Sequence, residues 1–478
     1  MVVGEFAQEC DLVVIGGGPG GYAAAFRAAE LGVSTTIIDE RSQLGGVCLH
    51  AGCVPSKTLL NLADTIDRAK RAAPMGVTYG DPTIDRPTVD GWVDTAVQRL
   101  AKGLDGECAR RSIDVIAGRA AFEDNRHLSL QGGSVRRVKF RRAIIATGGR
   151  PEPHPVAEHN GTTVRWITEC MRTETMPKRV LIIGGIYCAL ECATIARSLG
   201  SEVHLITPNP RWLPECDADL VRPFERRWKK SLASFKTATD VSAVQHTDAG
   251  LTCSLSDDST IEVDGIILAT GFVPNTSDLN APVDRDETGA IIVDDMMQTS
   301  NARMFAVGDV TGAPMLADRA LRQGRVAAEV VAGMVSMFDA RACPHAIFTM
   351  PNIAWCGLTE DDARTLGQPV RVQKIPWGAS GRAVGMGEAD GVTKIIVDAD
   401  SELVLGVGIA GANACEMIAE ASLAIEMGTM LTDLAQTIHP HPTTVELLSD
   451  AATRILTDEE SRAAAAESAP HGSATTSS

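Results

Sequence analysis

The chain has 478 residues, of which 44% are hydrophobic and 22% charged, the balance of a globular protein with length for roughly two to four domains. Its net charge of −17 excludes nucleic acid and anionic membranes as partners, because both would repel it. No apolar run approaches the roughly 20 residues of a spanning helix. The N-terminus lacks a basic leader region and the twelve cysteines are scattered, which together predict a reduced, cytoplasmic setting.

The first predicted unit is Asp11 to Glu40, "DLVVIGGGPGGYAAAFRAAELGVSTTIIDE", which reads as strand, glycine turn, helix and strand. In Gly16-x-Gly18-x-x-Gly21 the first glycine permits the turn and the second lets a pyrophosphate approach the backbone. The third lets helix and strand pack closely, while the helix N-terminus attracts phosphate. Asp39 ends the second strand, where a carboxylate accepts hydrogen bonds from an adenosine ribose; Glu40 is the neighbouring alternative. These features together predict a dinucleotide site.

"LGGVCLHAGCVPSKTLL" follows, with Cys48 and Cys53 five positions apart. A structural zinc site needs about four ligands, and only His50 lies nearby. A structural disulfide would close a very short loop and stabilise little. An ideal helix holds Cα atoms five apart at roughly 8 to 9 Å, beyond the ~7 Å that a disulfide bridges. A bridge therefore demands a distorted helix, which Gly52 and Pro55 favour. A redox pair is the preferred reading, with two free core cysteines and a metal pair as alternatives.

Further along, Arg179 to Thr207 repeats the strand–turn–helix–strand order of the first unit. Each unit is followed by an apolar strand ending in Ala-Thr-Gly, Ala146-Thr147-Gly148 and Ala269-Thr270-Gly271. The proline-rich stretch Pro151 to His159 between them reads as a domain crossing. The expected division is 1–150, a dinucleotide domain with the cysteine pair; 151–271, a second dinucleotide domain; 272–342, a central segment completing the first site; and 343–458, an α+β domain. An Ala/Ser/Thr-rich tail, 459–478, is expected to be disordered. Near its end the chain supplies His439, His441 and Glu446. Disulfide exchange needs a thiolate, hence a base, and a carboxylate partner fixes a histidine's tautomer and raises its basicity.

"GGVCLHAGCVPSK", with "VVIGGGPGGY" and "VGDVTGAPMLA", resembles the flavin-dependent pyridine nucleotide-disulfide oxidoreductases, most of all dihydrolipoamide dehydrogenase. The resemblance runs to about Thr457. It implies an α/β fold of two Rossmann-like domains, for FAD and NAD(P), and a C-terminal α+β dimerisation domain. It implies FAD at Gly16, Gly18, Gly21, Asp39, Gly46, Thr147 and Gly148, with Lys57 near flavin N5 and Asp309 on the ribitol. Ala317 would lie against the flavin, and backbone at Gly118 and Ala120 against adenine. The nicotinamide nucleotide would contact Gly184, Tyr187, Thr207, Arg211 and Gly271, with Glu191 paired to Lys57. His441, oriented by Glu446, would serve the other subunit of an obligate homodimer as base. Cys48 would be the outer, attacked sulfur and Cys53 the one beside the flavin. The substrate implied is a dithiol or disulfide, including a lipoyl group carried on another protein.

The second unit departs from this pattern. Ile186 replaces the glycine that admits phosphate, and Thr207 stands where NAD-specific members carry an acid. Ala189, Tyr187 and Arg211 lean towards NADPH, without a clear arginine pair. Val47 stands in place of a threonine and His50 of an asparagine. Three readings remain: a dihydrolipoamide dehydrogenase-like enzyme, an NADPH-dependent reductase of a small disulfide, and a flavoprotein binding module whose nicotinamide site has decayed.

Overall fold

A computed structural model describes residues 8–468. By the density of their internal packing the described residues divide into two compact units, 8–212 with 232–339, and 213–231 with 340–468.

In the first unit, β1 (Gln8–Ile15) leads through the glycine turn into α1 (Pro19–Glu30) and then β2 (Thr35–Asp39). Strands β1 and β2 run parallel, with Ile15 opposite Ile38. Strand Asp114–Ala117 continues the sheet beyond β2, and Arg137–Ile145 flanks β1 on its other side. Leu12, Val13 and Val14 are wholly buried, as parallel strands covered on both faces require. The central segment returns to this sheet: Met304–Ala306 pairs in parallel with Ala143–Ile145. Its helix, Ala317–Val331, lies so close to α1 that a Cβ at Gly324 would run into the Gly20 carbonyl.

The echo is built the same way. β3 (Arg179–Ile183), a helix Tyr187–Ser198 and β4 (Glu202–Ile206) form a parallel strand–helix–strand unit in which Ile183 lies opposite Ile206. The sheet order is Ser234–Lys236, β4, β3, Gly265–Leu268, Val164–Trp166. A two-stranded antiparallel ribbon, Gly149–Pro151 on Phe272–Pro274, carries the chain between the two sheets.

The second unit is a five-stranded antiparallel sheet, ordered His345–Ile347, Asn352–Gly357, Val404–Gly411, Val392–Asp398, Val370–Pro376. Helices Ala414–Met427 and Glu446–Ser468 pack on it. Leu213–Ser231 lies within the stretch expected to be the second nucleotide domain, yet it packs into this unit. The cause is Lys394, 1% exposed, whose ammonium meets Asp217 at 2.5 Å, Asp219 at 2.8 Å and Glu360 at 2.9 Å. Leaving that ammonium buried and unpaired would cost about 3–5 kcal/mol, so the acidic start of helix Ala218–Trp228 is held here. The tail differs from expectation as well. Helix Glu446–Ser468 continues through 459–468, where four successive alanines favour helix; residues 469–478 lie outside the described range. Among the described residues no helix is long and apolar enough to cross a membrane.

Candidate active site

The first glycine turn leaves room for a dinucleotide. Gly16 has φ +103°, and a Cβ at Gly21 would strike the Gly16 carbonyl, so both glycines are required by the backbone itself. Gly18 caps α1 with no side-chain bond to its N–H groups. A Cβ there would meet only Gly46 Cα, 3.9 Å away, and one at Gly148 would meet nothing within 4 Å. Asp39 Oδ2 accepts from Gly17 N–H at 2.6 Å and Oδ1 from Arg41 N–H at 2.8 Å, leaving lone pairs for ribose hydroxyls. Its carbonyl accepts from Gly118 N–H at 2.8 Å, which draws Gly118 and the buried Ala120 to the same edge. Thr147 Oγ1 donates to Asn275 O at 2.7 Å and fixes the Ala-Thr-Gly end of the strand. Asp309 sits in the short 3₁₀ turn Gly308–Thr311, and burial pushes its carboxyl above the usual range against the nearby Arg319. Ala317 is the first residue of its helix. The open cradle, the helix N-terminus and the carboxylate fit FAD.

The cysteine segment resolves the spacing question. It is two helices, Gly46–Ala51 and Cys53–Arg71, broken at Gly52 with φ −133° and ψ −108°. The break brings the Cys48 and Cys53 thiols together. Interaction with Cys53 first, and burial second, push the Cys48 thiol up. The Cys53 thiol is lowered to about 7, by Cys48 first and also by the Lys57 ammonium, against the opposing effect of burial. Lys57 Nζ contacts both oxygens of Glu191, at 2.9 and 2.8 Å, and Glu191 is 3% exposed. The same ammonium lies 6.0 Å from the Tyr187 ring centroid. Cys48, Cys53, Lys57, Glu191 and Tyr187 are therefore one cluster. His50 Nε2 donates to Leu44 O at 2.9 Å, a bond within its own turn.

In the second unit, His441 and His439 differ sharply. His441 Nδ1 donates to Glu446 Oε1 at 2.7 Å, and its side chain is 82% exposed. The bond fixes the tautomer that leaves Nε2 as acceptor. Glu446 also accepts from Thr443 N–H at 2.6 Å; that bond first, and His441 second, hold its carboxyl below the usual range. The His439 side chain is 5% exposed with both ring nitrogens engaged, Nδ1 on Thr437 O at 3.0 Å and Nε2 on Glu420 at 2.7 Å. It braces the turn that presents His441.

The second glycine turn copies the first in backbone and not in side chains. Gly184 takes the place of Gly16, and Ile186 caps its helix at φ −97°, ψ 174°, close to Gly18 at −71°, −176°. Thr207 matches Asp39, being fully buried with Oγ1 accepting from Asn209 N–H at 3.2 Å, as Asp39 accepts from Arg41. Arg211 lies two residues past Asn209 and is engaged within the fold. A Cβ at Gly271 would meet Glu152 Oε2 at 3.3 Å and Ile186 Cδ1 at 4.0 Å. Sequence reasoning missed Glu152, because only the ribbon pairing of Phe272 with Pro151 brings it there.

Comparison with known proteins identifies the family of the chain. The pyridine nucleotide-disulphide oxidoreductase family matches residues 10–324, and its dimerisation domain matches residues 343–452. The dihydrolipoyl dehydrogenase of Haemophilus influenzae is 39% identical over 452 residues, 93% of this chain and 94% of that one. That of Thermus scotoductus is 39% identical over 451 residues, 92% and 96% of the two chains. Among solved structures, LpdA from Mycobacterium tuberculosis superposes with TM-score 0.85 at 26% identity, over 94% of this chain and 100% of that one. RclA from Escherichia coli, described as an HOCl-induced flavoprotein disulfide reductase, gives 0.82 at 26% identity, over 93% and 99%. The chain belongs to the pyridine nucleotide-disulphide oxidoreductase family, as an FAD-dependent disulfide oxidoreductase of the dihydrolipoamide dehydrogenase-like kind.

Proposed function

We propose that the enzyme oxidises a dithiol of the dihydrolipoyl type through Cys48 and Cys53, in a homodimer where His441 of one chain serves the cysteine pair of the other. The observation that carries this reading is geometric: the helix break at Gly52 sets Cys48 and Cys53 beside the Lys57 ammonium, which contacts both oxygens of the buried Glu191, and the nearby cation and Cys48 lower the Cys53 thiol. A sulfur that leaves readily as thiolate is the one expelled in exchange.

In the oxidised enzyme the two sulfurs form a disulfide. His441 Nε2 takes a proton from one substrate thiol, and the resulting thiolate attacks Cys48 Sγ. The Cys48–Cys53 bond breaks, and Cys53 departs with the electron pair as thiolate, held by the Lys57 ammonium. The second substrate thiol then attacks the substrate sulfur of the mixed disulfide. This closes the substrate disulfide and releases Cys48, which receives the first proton from His441, while the proton of the second substrate thiol passes to the freed His441 Nε2. Two electrons now reside on the cysteine pair. Bound FAD supplies the two-electron carrier between that pair and a pyridine nucleotide. Asp39, Gly18 and Gly148 are assigned to its adenosine and pyrophosphate, Asp309 to its ribitol, and Lys57 with Glu191 to the flavin edge. Glu446 keeps His441 in the accepting tautomer throughout.

Cys48→Ser tests the reading. The variant should keep its flavin and lose dithiol oxidation by at least about 10³-fold, since a hydroxyl cannot close the disulfide. Retained turnover, or release of FAD, would assign the pair a structural role.

A further inference from the structure

We infer that the second glycine turn of this chain discriminates against dinucleotides, and that Ile186 is the residue chiefly responsible. The inference rests on the reading of that turn as the one facing the nicotinamide nucleotide. A pyrophosphate reaches a glycine turn by lying against the backbone at the helix N-terminus, where the N–H groups point at it. The second glycine exists to leave that approach clear. In the first unit the approach is clear: neither Gly18 nor Gly148 has a side chain beside it that a Cβ would touch closely. In the second, the backbone is preserved while a branched side chain stands at the cap. Across from it, Ile186 Cδ1 and the Glu152 carboxylate both face Gly271, the counterpart of Gly148.

Three changes act in one direction and with unequal force. Ile186 removes space, and its β-branched side chain has few rotamers by which to withdraw. Thr207 offers one hydroxyl, already accepting from Asn209 N–H, where Asp39 offers two oxygens. Glu152 adds negative charge where phosphate would come, yet it is exposed, so water and salt screen most of its effect. The pairs Lys57–Glu191 and Lys57–Tyr187 at the flavin end are intact. The nicotinamide end thus keeps its contacts while the pyrophosphate and adenosine ribose lose theirs. A nucleotide should gain little affinity from its adenosine half.

Calorimetric titration of the FAD-loaded dimer with NAD⁺, NADP⁺ and nicotinamide mononucleotide tests this directly, because oxidised ligands need no turnover. The wild type should bind both dinucleotides within about tenfold of the mononucleotide, a difference near 1.4 kcal/mol. Ile186→Gly should tighten NAD⁺ and NADP⁺ at least about tenfold and leave the mononucleotide unchanged. Glu152→Gln should tighten the dinucleotides about twofold, and only at low salt. A wild-type preference for a dinucleotide of a hundredfold or more would overturn the inference, as would an Ile186→Gly protein that keeps its flavin with unaltered affinities. Should Ile186→Gly fail to fold, the wild-type ratio alone still decides. Reduction of the cysteine pair by dihydrolipoamide, run alongside, is independent of this turn; its failure would count against the proposed function and leave the binding result standing.

Discussion

The two glycine turns of this chain have nearly the same backbone and opposite interiors. Each puts a helix N-terminus above parallel strands, and each closes its strand on an Ala-Thr-Gly segment. The first has Gly18, Gly148 and Asp39; the second has Ile186, a Gly271 crowded by Glu152, and Thr207. The difference teaches that fold and ligand affinity are specified by separate residues. Gly16, Gly21, Gly184 and Ala189 hold helix to strand, and all four are compatible with the turn. The two turns differ at positions 18 and 186, at 39 and 207, and in the neighbours of 148 and 271, which we propose decide what each turn can admit.

Exchanging those residues between the two turns has the largest expected effect. Gly18→Ile puts the second unit's obstruction into the first, and the purified protein should lose its yellow colour, with flavin affinity reduced by at least about a hundredfold. A fully flavinated Gly18→Ile protein would show that the turn tolerates a branched residue. Next in size, His441→Ala should slow reduction of the cysteine pair by about 10²–10⁴-fold in stopped-flow mixing with dithiol. Glu446→Gln should cost about 10–100-fold by loosening the tautomer, and an unchanged rate in both would remove this histidine as base.

A smaller effect comes from the flavin edge. The Cys53 thiolate is lost as pH falls through about 7 and accumulates above it. Thiolate absorbance of the two-electron-reduced enzyme should therefore rise with pH across neutrality. Lys57→Met removes a cation that lowers this pKa, so the midpoint should move upward. It should also destabilise the fold, because the buried Glu191 loses the ammonium that contacts both its oxygens. A midpoint that stays put would mean that the neighbouring Cys48 alone sets it. Smallest of all, Thr207→Asp should favour NAD⁺ over NADP⁺ by a few-fold, since a carboxylate accepts a ribose hydroxyl and repels a 2′-phosphate.

Much of this was legible in the sequence because it depends on local spacing. Both strand–turn–helix units, the need for a broken helix at Gly52 and the replacement of a glycine by Ile186 can be read within thirty residues of chain. The preference for His441 over His439 comes from a motif; in the structure Glu420 and Thr437 occupy both nitrogens of His439. What escaped reading depends on distant pairing. Glu152 reaches Gly271 through a ribbon joining positions more than a hundred residues apart. Lys394 draws Leu213–Ser231 into the second unit through Asp217, 177 residues earlier in the chain. Neither has a local signature. Residues 459–468 are helical where disorder was expected, since an Ala-rich run reads equally as low complexity and as helix.

The most direct test is anaerobic absorbance of the flavin-loaded dimer as dihydrolipoamide is added at a series of pH values. A long-wavelength thiolate–flavin band is expected that grows with pH through about 7, is abolished by Cys53→Ser, and forms slowly in His441→Ala. A flavin that stays fully oxidised without the band, or a band indifferent to Cys53, would contradict the assignment of Cys48 and Cys53 as the unequal redox pair.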